Sequence, residues 1–327
     1  MTNSDPLNIW AISDGRRGME NQALGLAEAI ARQRPAVITT KRIAIQWPFD
    51  QLPGRLWPSP LNRLSKDSDP LGPPLPDIWI ACGRRTIPLS GAVHGKGPLV
   101  IQTQDPRAPL DQFDLVVPPL HDQVSGPNVY PILGSPNRLT VEGLAQAAHA
   151  LAPLLPPLPQ PYGAVLLGGD SKDYQLTDAV LDQVISVLQS AHAAGYGLVI
   201  SPSRRTPASA IDRLNAALDP ARSFIWDGKP IAAVENPYLG MLGLASRLWV
   251  TEESANMLTD AAFTGKPVHL LPMEGGAPKW QRFHASLADR QVINAGADLS
   301  ADWSYEPVRE TDRVARHALD LLESRRG

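Results

Sequence analysis

Short apolar runs alternate with longer amphipathic segments along the first half of the chain. A run over 8–14 is followed by apolar residues at helical spacing, which are Met19, Ala23, Leu26, Ala27 and Ile30. Further apolar runs cover 36–45, 77–83, 98–105 and 114–119. This alternation predicts parallel βα units, with helices on both faces of a sheet.

The same alternation restarts after a proline-rich segment. Residues 149–161 contain five prolines, which can neither continue a helix nor occupy a central strand. Beyond it, strands are predicted within 163–170, 196–207, 223–228, 247–254 and 266–273, and helices over 176–195, 208–218 and 308–327. We therefore predict two parallel α/β, Rossmann-like domains facing each other across a cleft. Their predicted bounds are 1–150 for the first domain, 151–161 for a linker, 162–305 for the second domain and 306–327 for a C-terminal helix.

Composition narrows the class of protein. The 327 residues are 43% hydrophobic and 19% charged, as in ordinary soluble globular proteins. A formal charge of −3 gives no basic excess, so we do not expect nucleic acid as a partner. The single cysteine, Cys82, excludes an internal disulfide and fits a reducing compartment. The chain lacks both a signal-peptide pattern and an uncharged apolar run of about 18 residues, so a cytoplasmic location is expected.

The predicted strand–helix–strand unit over 249–272 carries more polar groups than packing requires. Ligands of open parallel sheets bind beyond the carboxyl ends of the strands, where helix N-termini favour phosphate. Ser254 is a candidate N-cap or phosphate contact. One helical face carries the candidate ligand contacts Glu253, Asn256, Met257 and Asp260, of which Asp260 could accept ribose hydroxyls. A capped surface helix with a solvated acidic face is an equally good interpretation of the spacing.

Two further loops of the second half are candidate phosphate sites. Gly168 and Gly169 follow a strand and would let the backbone approach a ligand, although such turns are common in structural loops. The segment 201–207 presents two guanidinium groups beside two hydroxyls, from Ser203, Arg204, Arg205 and Thr206. Arginine binds phosphate oxygens in bidentate fashion, so this loop could form an anion clamp. The alternative is that these arginines pair with surface carboxylates.

In the first half, the loop over 13–22 lies at a strand end and is a candidate acceptor site. Asp14 or Asp105 could act as a general base towards an acceptor hydroxyl, and Glu20 at the start of the helix is a further candidate base. The acceptor side would also include Arg16, Arg17, Gly18, Gln22 and Asp105. Asp105 precedes a proline, and Asp-Pro is also a common turn starter. No H-E-x-x-H or D-x-D pattern is present, so neither a metal site nor a cofactor is predicted.

Several of these motifs together resemble a known family. In chain order they are "ISDGRRGMENQALGLAEAI", "LLGGDS", "SPSRRTP", "NPYLGMLGLASRLWVTEESANMLTDAAFTGKPV" and "KWQRFHASL". They are similar to the family of the plant mitochondrial-fission protein called elongated mitochondria and its bacterial relatives, which looks like part of the GT-B glycosyltransferase superfamily. The match covers almost the whole chain.

The resemblance implies roles for particular positions. The superfamily's ribose-binding glutamate falls on Asp260, and its serine/glycine segment falls on 254–256. Gly168, Gly169 and the 204–206 segment fall where phosphate and base contacts occur, and Asp14 falls near the acceptor and the catalytic base. The resemblance also implies that the last helix crosses back to the first domain.

The expected function is metal-independent transfer of a sugar from a nucleotide-diphosphate sugar to an acceptor hydroxyl, for which an envelope or lipid-linked glycan is one candidate. Two alternatives stay open, which are a non-hydrolysing nucleotide-sugar epimerase on the same fold and a non-catalytic adaptor of the fission family. The segment 50–64, with Leu56 and Trp57 beside Arg55 and Arg63, could make a peripheral membrane contact or could be a packed proline-rich loop.

Overall fold

The structure is a computed structural model that describes residues 5–294 and 302–326. The chain divides into two compact units. The first comprises Met1–Arg138 together with Arg309–Gly327, and the second comprises Leu139–Val308.

The first unit is built on a five-stranded parallel sheet of order β2-β1-β3-β4-β5. In chain order its elements are β1 (Leu7–Ser13), α1 (Arg17–Gln33), β2 (Ala36–Arg42), β3 (Ile78–Cys82), α2 (Ile87–Val93), β4 (Leu99–Thr103) and β5 (Leu115–Val117). Successive side chains of a strand point to opposite faces. Ile9 and Ala11 therefore enter one hydrophobic core, and Trp10 and Ile12 enter another on the opposite face. Burial on both faces explains why the central strands are continuous apolar runs.

The second unit repeats this architecture with the order β11-β10-β6-β8-β9, again parallel. Its helices are α3 (Val141–Leu151), α4 (Asp178–Ala193), α5 (Ala208–Ala217), α6 (Tyr238–Leu244), α7 (Ala255–Phe263) and α8 (Pro278–Asp289). Its main strands are β6 (Tyr162–Leu167), β8 (Gly197–Pro202), β9 (Ser223–Ile225), β10 (Arg247–Thr251) and β11 (Val268–Leu271). The short strands β7 (Tyr174–Gln175) and β12 (Glu274–Gly275) form a separate antiparallel pair. The predicted class of two Rossmann-like parallel α/β folds is confirmed.

The boundary between the units lies before α3, whereas the sequence placed it near the proline-rich segment. Helix α3 belongs to the second unit because it packs closely on α6. A Cβ atom on Gly243 of α6 would lie 2.4 Å from the carbonyl oxygen of Leu144 in α3. Glycine at this position therefore permits a near-contact between the two helix backbones.

The last helix, α9 (Glu310–Arg326), packs on the first unit as expected. Its buried residues Val314, Ala318 and Leu322 share a core with Leu26 and Ile30 of α1. An ion pair between Arg32 and Asp312, 2.7 Å from Nη2 to Oδ1, lies at the edge of this contact.

The segment 50–64 is divided between the core and the surface of the first unit. Trp57 is buried in the core of the first unit, and its indole N–H donates to the carbonyl oxygen of Leu52 at 3.2 Å. Trp57 is therefore unavailable for a membrane contact. Leu56 is 54% exposed, and Trp47, which the sequence analysis did not single out, is 81% exposed. None of the helices in the described ranges is long and apolar enough to cross a membrane.

Candidate functional site

The strand order of the second unit identifies where its ligand site should be. Starting from β6, the chain adds β8 and β9 on one side of the sheet and then returns to add β10 and β11 on the other. Ligands of doubly wound sheets bind at such a reversal, beyond the carboxyl ends of the strands. The loop after β6 holds Gly168 and Gly169, the loop after β10 leads into α7, and the loop after β8 flanks them. The structure therefore places all the predicted second-domain segments at one edge of the sheet.

Glu253 lies at the centre of this edge. Its side chain is fully buried, with 0% exposure. The Oε1 atom accepts hydrogen bonds from the Gly169 N–H at 3.1 Å and from Nη2 of Arg205 at 3.0 Å. Glu253 thus joins three loops, and this internal role was not predicted. Its Oε2 atom is buried and has no hydrogen-bond partner in the described part of the chain.

The two glycines are required by protein packing. A Cβ atom on Gly168 would lie 1.6 Å from Oε1 of Glu253, and one on Gly169 would lie 2.1 Å from the carbonyl oxygen of Arg205. From the sequence, these glycines could either allow the backbone to approach a ligand or belong to a structural turn. The structure shows instead that neighbouring protein atoms fill the space beside both residues.

The hydroxyl groups of the 203–206 loop hold the loop itself. Oγ1 of Thr206 donates to the carbonyl oxygens of Leu167, at 2.9 Å, and Gly168, at 2.5 Å, and accepts from the Ser203 N–H at 2.9 Å. Oγ of Ser203 accepts from the Arg205 N–H at 3.1 Å. Both hydroxyls therefore have protein partners and shape the turn.

The two arginines of this loop differ. Besides its ion pair with Glu253, Arg205 donates from Nη1 to the carbonyl oxygens of Gly169 and Asp170, both at 3.2 Å. Arg204 is exposed and makes no hydrogen bond or ion pair with any described residue. Arg204 is therefore the guanidinium group of this loop that is available to an anion, whereas Arg205 organises the loop.

Helix α7 begins at the same edge. Oγ of Ser254 accepts from the Met257 N–H at 3.4 Å, which makes Ser254 an N-cap, one of its two predicted roles. Asn256 is exposed, and Met257 is half-buried. Leu258, Ala261 and Ala262 form the buried side of the helix.

Asp260 is half-buried and has a partner that the sequence analysis missed. Its Oδ2 atom accepts a hydrogen bond from the Tyr238 hydroxyl at 2.9 Å. Burial raises the pKa of Asp260 to about 7, although the bond from Tyr238 opposes this shift. Burial, with the nearby Asp260 carboxylate, raises the pKa of Tyr238 well above its usual value. Tyr238 starts α6, and its 22-residue separation from Asp260 leaves no local sequence pattern to reveal the pair.

In the first unit, the chain reverses between β1 and β3, where α1 and α2 leave towards opposite cores. Asp14 follows β1, and its side chain is only 8% exposed. Its Oδ1 atom accepts from the Arg16 N–H at 3.3 Å, and its Oδ2 atom lies 3.5 Å from Nε of Arg16. Arg17 is exposed, and Gly18 is half-buried in the first turn of α1.

Other predicted residues of the first unit have structural partners. Glu20 accepts two hydrogen bonds from Arg42, from Nε at 2.6 Å and from Nη2 at 3.0 Å, and this pairing lowers the pKa of Glu20. Gln22 is buried, with its Oε1 atom 3.4 Å from Sγ of Cys82. Oδ1 of Asp105 accepts from the Arg107 N–H at 2.8 Å, which is the turn geometry considered as the alternative. Glu20 is therefore a weak candidate base, and Gln22 is part of the core.

Within 5–294 and 302–326, no group of three or more His, Cys, Asp and Glu side chains is arranged to hold a metal ion.

The two doubly wound sheets define a fold of the GT-B type, which glycosyltransferases and some epimerases share. The chain resembles a candidate UDP-N-acetylglucosamine 2-epimerase from Listeria monocytogenes, with a TM-score of 0.57 at 12% identity, covering 98% of this chain and 88% of that one. It also resembles Acinetobacter baumannii MurG, with a TM-score of 0.54 at 13% identity, covering 98% of this chain and 100% of that one. At these identities the likeness concerns the fold alone.

The chain belongs to the mitochondrial fission ELM1 family, whose model matches residues 17–322. It is 28% identical over 280 residues to the mitochondrial fission protein ELM1 of Arabidopsis thaliana. That alignment covers 76% of this chain and 65% of the Arabidopsis protein. The resemblance stated from the sequence motifs is therefore confirmed.

Proposed function

We propose that the chain is a metal-independent glycosyltransferase that uses a nucleotide-diphosphate sugar. The observation that supports this function best is the convergence of three loops at the point where the strand order of the second unit reverses. An unpaired Arg204, the start of α7 and Asp260 belong to this edge. A doubly wound sheet with these groups is suited to a dinucleotide-like phosphate ligand.

The donor would bind through its diphosphate and its ribose. Arg204 would bind phosphate oxygens in bidentate fashion, aided by the free amides at the start of α7. The Oδ1 atom of Asp260 would accept ribose hydroxyls while Oδ2 stays bonded to Tyr238. Glu253 and Arg205 would act indirectly, by holding the loops that carry these contacts.

The reaction would need one base on the acceptor side, which we assign to Asp14. The acceptor hydroxyl would give its proton to the Asp14 carboxylate while its oxygen attacks the anomeric carbon. The bond from that carbon to the diphosphate oxygen would break, and the nucleoside diphosphate would leave with the electron pair. Arg204 would stabilise the charge that develops on this leaving group. We prefer Asp14 to Glu20 because Arg42 holds the Glu20 carboxylate.

The test is binding of the donor. A thermal-shift screen of nucleoside diphosphates and their sugars would find the ligand, since a specific ligand raises the melting temperature by mass action. Calorimetry with that ligand should show an affinity about tenfold lower for Arg204→Ala, the size expected for one charge-assisted hydrogen bond. Arg316→Ala, which removes an exposed arginine of α9, is the matched control. Unchanged affinity in Arg204→Ala would exclude the proposed donor site.

Activity assays with the same nucleotide sugar distinguish the transferase from the two alternative functions. The Listeria neighbour is named as an epimerase, so an epimerase is one alternative. An epimerase on this fold would convert the nucleotide sugar without an acceptor. A transferase would leave the sugar unchanged until an acceptor hydroxyl is added. An adaptor of the fission family would show neither reaction, and Arg204→Ala would not change its affinity for the nucleotide sugar.

Peripheral membrane contact is a further part of the proposal. It rests on the exposed Trp47 and Leu56 beside the exposed Arg55 in one segment of the first unit. Exposed aromatic and aliphatic groups next to a cation favour an anionic bilayer surface. Co-sedimentation with anionic vesicles should fall in Trp47→Ser/Leu56→Ser, and equal sedimentation of the variant and the wild type would contradict this contact.

A further inference from the structure

The first unit carries the same tripeptide at the ends of two neighbouring strands. Gly15-Arg16-Arg17 follows β1, and Gly83-Arg84-Arg85 follows β3. We call these six residues the twin Gly-Arg-Arg edge. The second copy lies in a segment to which the sequence analysis assigned no role.

The fold places the two copies side by side. Strands β1 and β3 are hydrogen-bonded neighbours, with Ile12 opposite Ala81, so both loops start at the same level of the sheet. The second loop also touches the beginning of α1, since a Cβ atom on Gly83 would lie 3.6 Å from Cγ of Met19. These strands flank the reversal of the strand order, where doubly wound sheets bind ligands.

The charges at this edge are largely uncompensated. Arg17, Arg84 and Arg85 make no ion pair or hydrogen bond with any residue in the described ranges. Arg16 shares the edge with Asp14, 3.5 Å away. By contrast, Arg42 at the end of the neighbouring strand β2 is paired with Glu20. Like charges on adjacent loops repel each other, so a cluster of them with few acidic partners favours an anionic ligand.

We propose that the twin Gly-Arg-Arg edge binds a phosphate group carried by the acceptor. This inference rests on the proposed transferase function and specifies its acceptor class as a phosphorylated or diphosphorylated molecule. Guanidinium groups match phosphate oxygens in bidentate geometry. No side chain caps α1, so the amides of its first turn add a further attraction for the anion at the same edge. The arginines would hold the phosphate of the acceptor, and the nearby Asp14 carboxylate would then face the hydroxyl of the same acceptor.

The experiment uses the full chain and two probes. Inorganic pyrophosphate, measured by calorimetry, represents a soluble source of the phosphate group. Phosphatidylcholine vesicles with and without phosphatidic acid, measured by co-sedimentation, represent a lipid source. The variants are Arg84→Ala/Arg85→Ala and the charge-retaining Arg84→Lys/Arg85→Lys. Lys96→Ala/Arg316→Ala is the matched control, because it removes two exposed cations of the first unit away from this edge.

Arg84→Ala/Arg85→Ala should weaken binding of at least one probe about tenfold or more, the effect of losing a charge-assisted hydrogen bond. The lysine variant should bind with intermediate strength, since it keeps the charge and loses the bidentate geometry. Binding of pyrophosphate alone would indicate a soluble acceptor, and preference for phosphatidic acid vesicles a lipid-linked one. Because both arginines lack protein partners, the melting temperature should stay within a few degrees of the wild type.

Three results would overturn the inference. One is equal binding of both probes by the wild type and Arg84→Ala/Arg85→Ala. Another is pyrophosphate binding that only Arg204→Ala weakens, which would place the anion in the second unit. The third is a loss of nucleoside diphosphate binding in Arg84→Ala/Arg85→Ala as large as the loss in Arg204→Ala. That result would make the edge part of the donor site. The transferase function fails separately, through the donor-binding measurement on Arg204→Ala.

Discussion

The packing of Gly168 against Glu253 gives a quantitative test of how the loops of the proposed donor site are held. In Gly168→Ala the new methyl carbon would lie 1.6 Å from Oε1 of Glu253, so the carboxylate must move. That movement strains the hydrogen bonds from the Gly169 N–H, at 3.1 Å, and from Arg205, at 3.0 Å, and should break one of them. Overpacking costs about 1–3 kcal/mol and each lost bond to a charged group about 1.5–3 kcal/mol. We expect destabilisation of the second unit by about 4 kcal/mol, with one bond fully lost.

The assay must isolate the second unit, because two units need not unfold together. Hydrogen exchange of peptides covering β6 reports the opening free energy of that sheet directly. Gly72→Ala, in the first unit, is the control for the substitution itself, since a Cβ atom there would meet nothing within 4 Å. Exchange of peptides from the first unit should then change by less than about 1 kcal/mol.

The decisive measurement is a double-mutant cycle. Glu253→Ala removes the atom with which the new methyl group collides. Gly168→Ala should then cost less than about 1 kcal/mol in the Glu253→Ala background, which gives a coupling of about 3 kcal/mol. If Glu253→Ala does not fold, Glu253→Asp can replace it. The shorter side chain draws the carboxylate away from residue 168, so the destabilisation by Gly168→Ala should again be smaller. An equal cost of Gly168→Ala in all backgrounds would refute the collision as its cause.

Three further predictions concern titration and reactivity. Because the pKa of Asp260 is raised to about 7, the folded state holds a proton that the unfolded chain has lost, and stability should fall as pH rises from about 4 to about 7. Asp260→Asn should remove this slope in unfolding midpoints measured across that range, and an unchanged slope would assign it to another group. Asp14→Asn should lower transferase turnover about a hundredfold or more, whereas Glu20→Gln should change it little; the reverse order would exchange their roles. Burial raises the pKa of the Cys82 thiol to about 12, so Cys82 should react with a thiol reagent only after denaturation, and rapid reaction of the native protein would contradict its burial.

Local patterns predicted most of the two sheets. The strands at 77–83 and 98–105 were recognisable because burial on both faces demands continuous apolar residues. Helices α1, α4 and α9 were found within a few residues of their ends, since each buries one stripe at helical spacing. The shorter helices α3 and α6 were missed. Their packing relies on contacts such as Gly243 against Leu144, which a one-dimensional pattern does not display.

The residues of the proposed donor site also divide into those with local partners and those with distant ones. The cap by Ser254 acts within four residues, so the sequence could predict it. The partners of Arg205 and Asp260 lie 48 and 22 residues away along the chain. For this reason, Arg205 was grouped with Arg204 as an anion clamp, although its guanidinium is already bonded to Glu253. The same reason explains why local sequence favours Glu20 as a base, although its carboxylate is paired with Arg42, 22 residues away.

The sequence by itself determined the two parallel α/β sheets and the strand ends where polar residues collect. Both follow from the spacing of apolar and polar side chains among neighbouring residues. The tertiary structure alone decided which of those polar residues remain available to a ligand. Arg204 and Arg205 are adjacent, chemically identical and both exposed, yet only Arg205 is bonded to a buried carboxylate. That difference arises from strand order, which brings Glu253 beside the loop after β8 and cannot be read from local spacing.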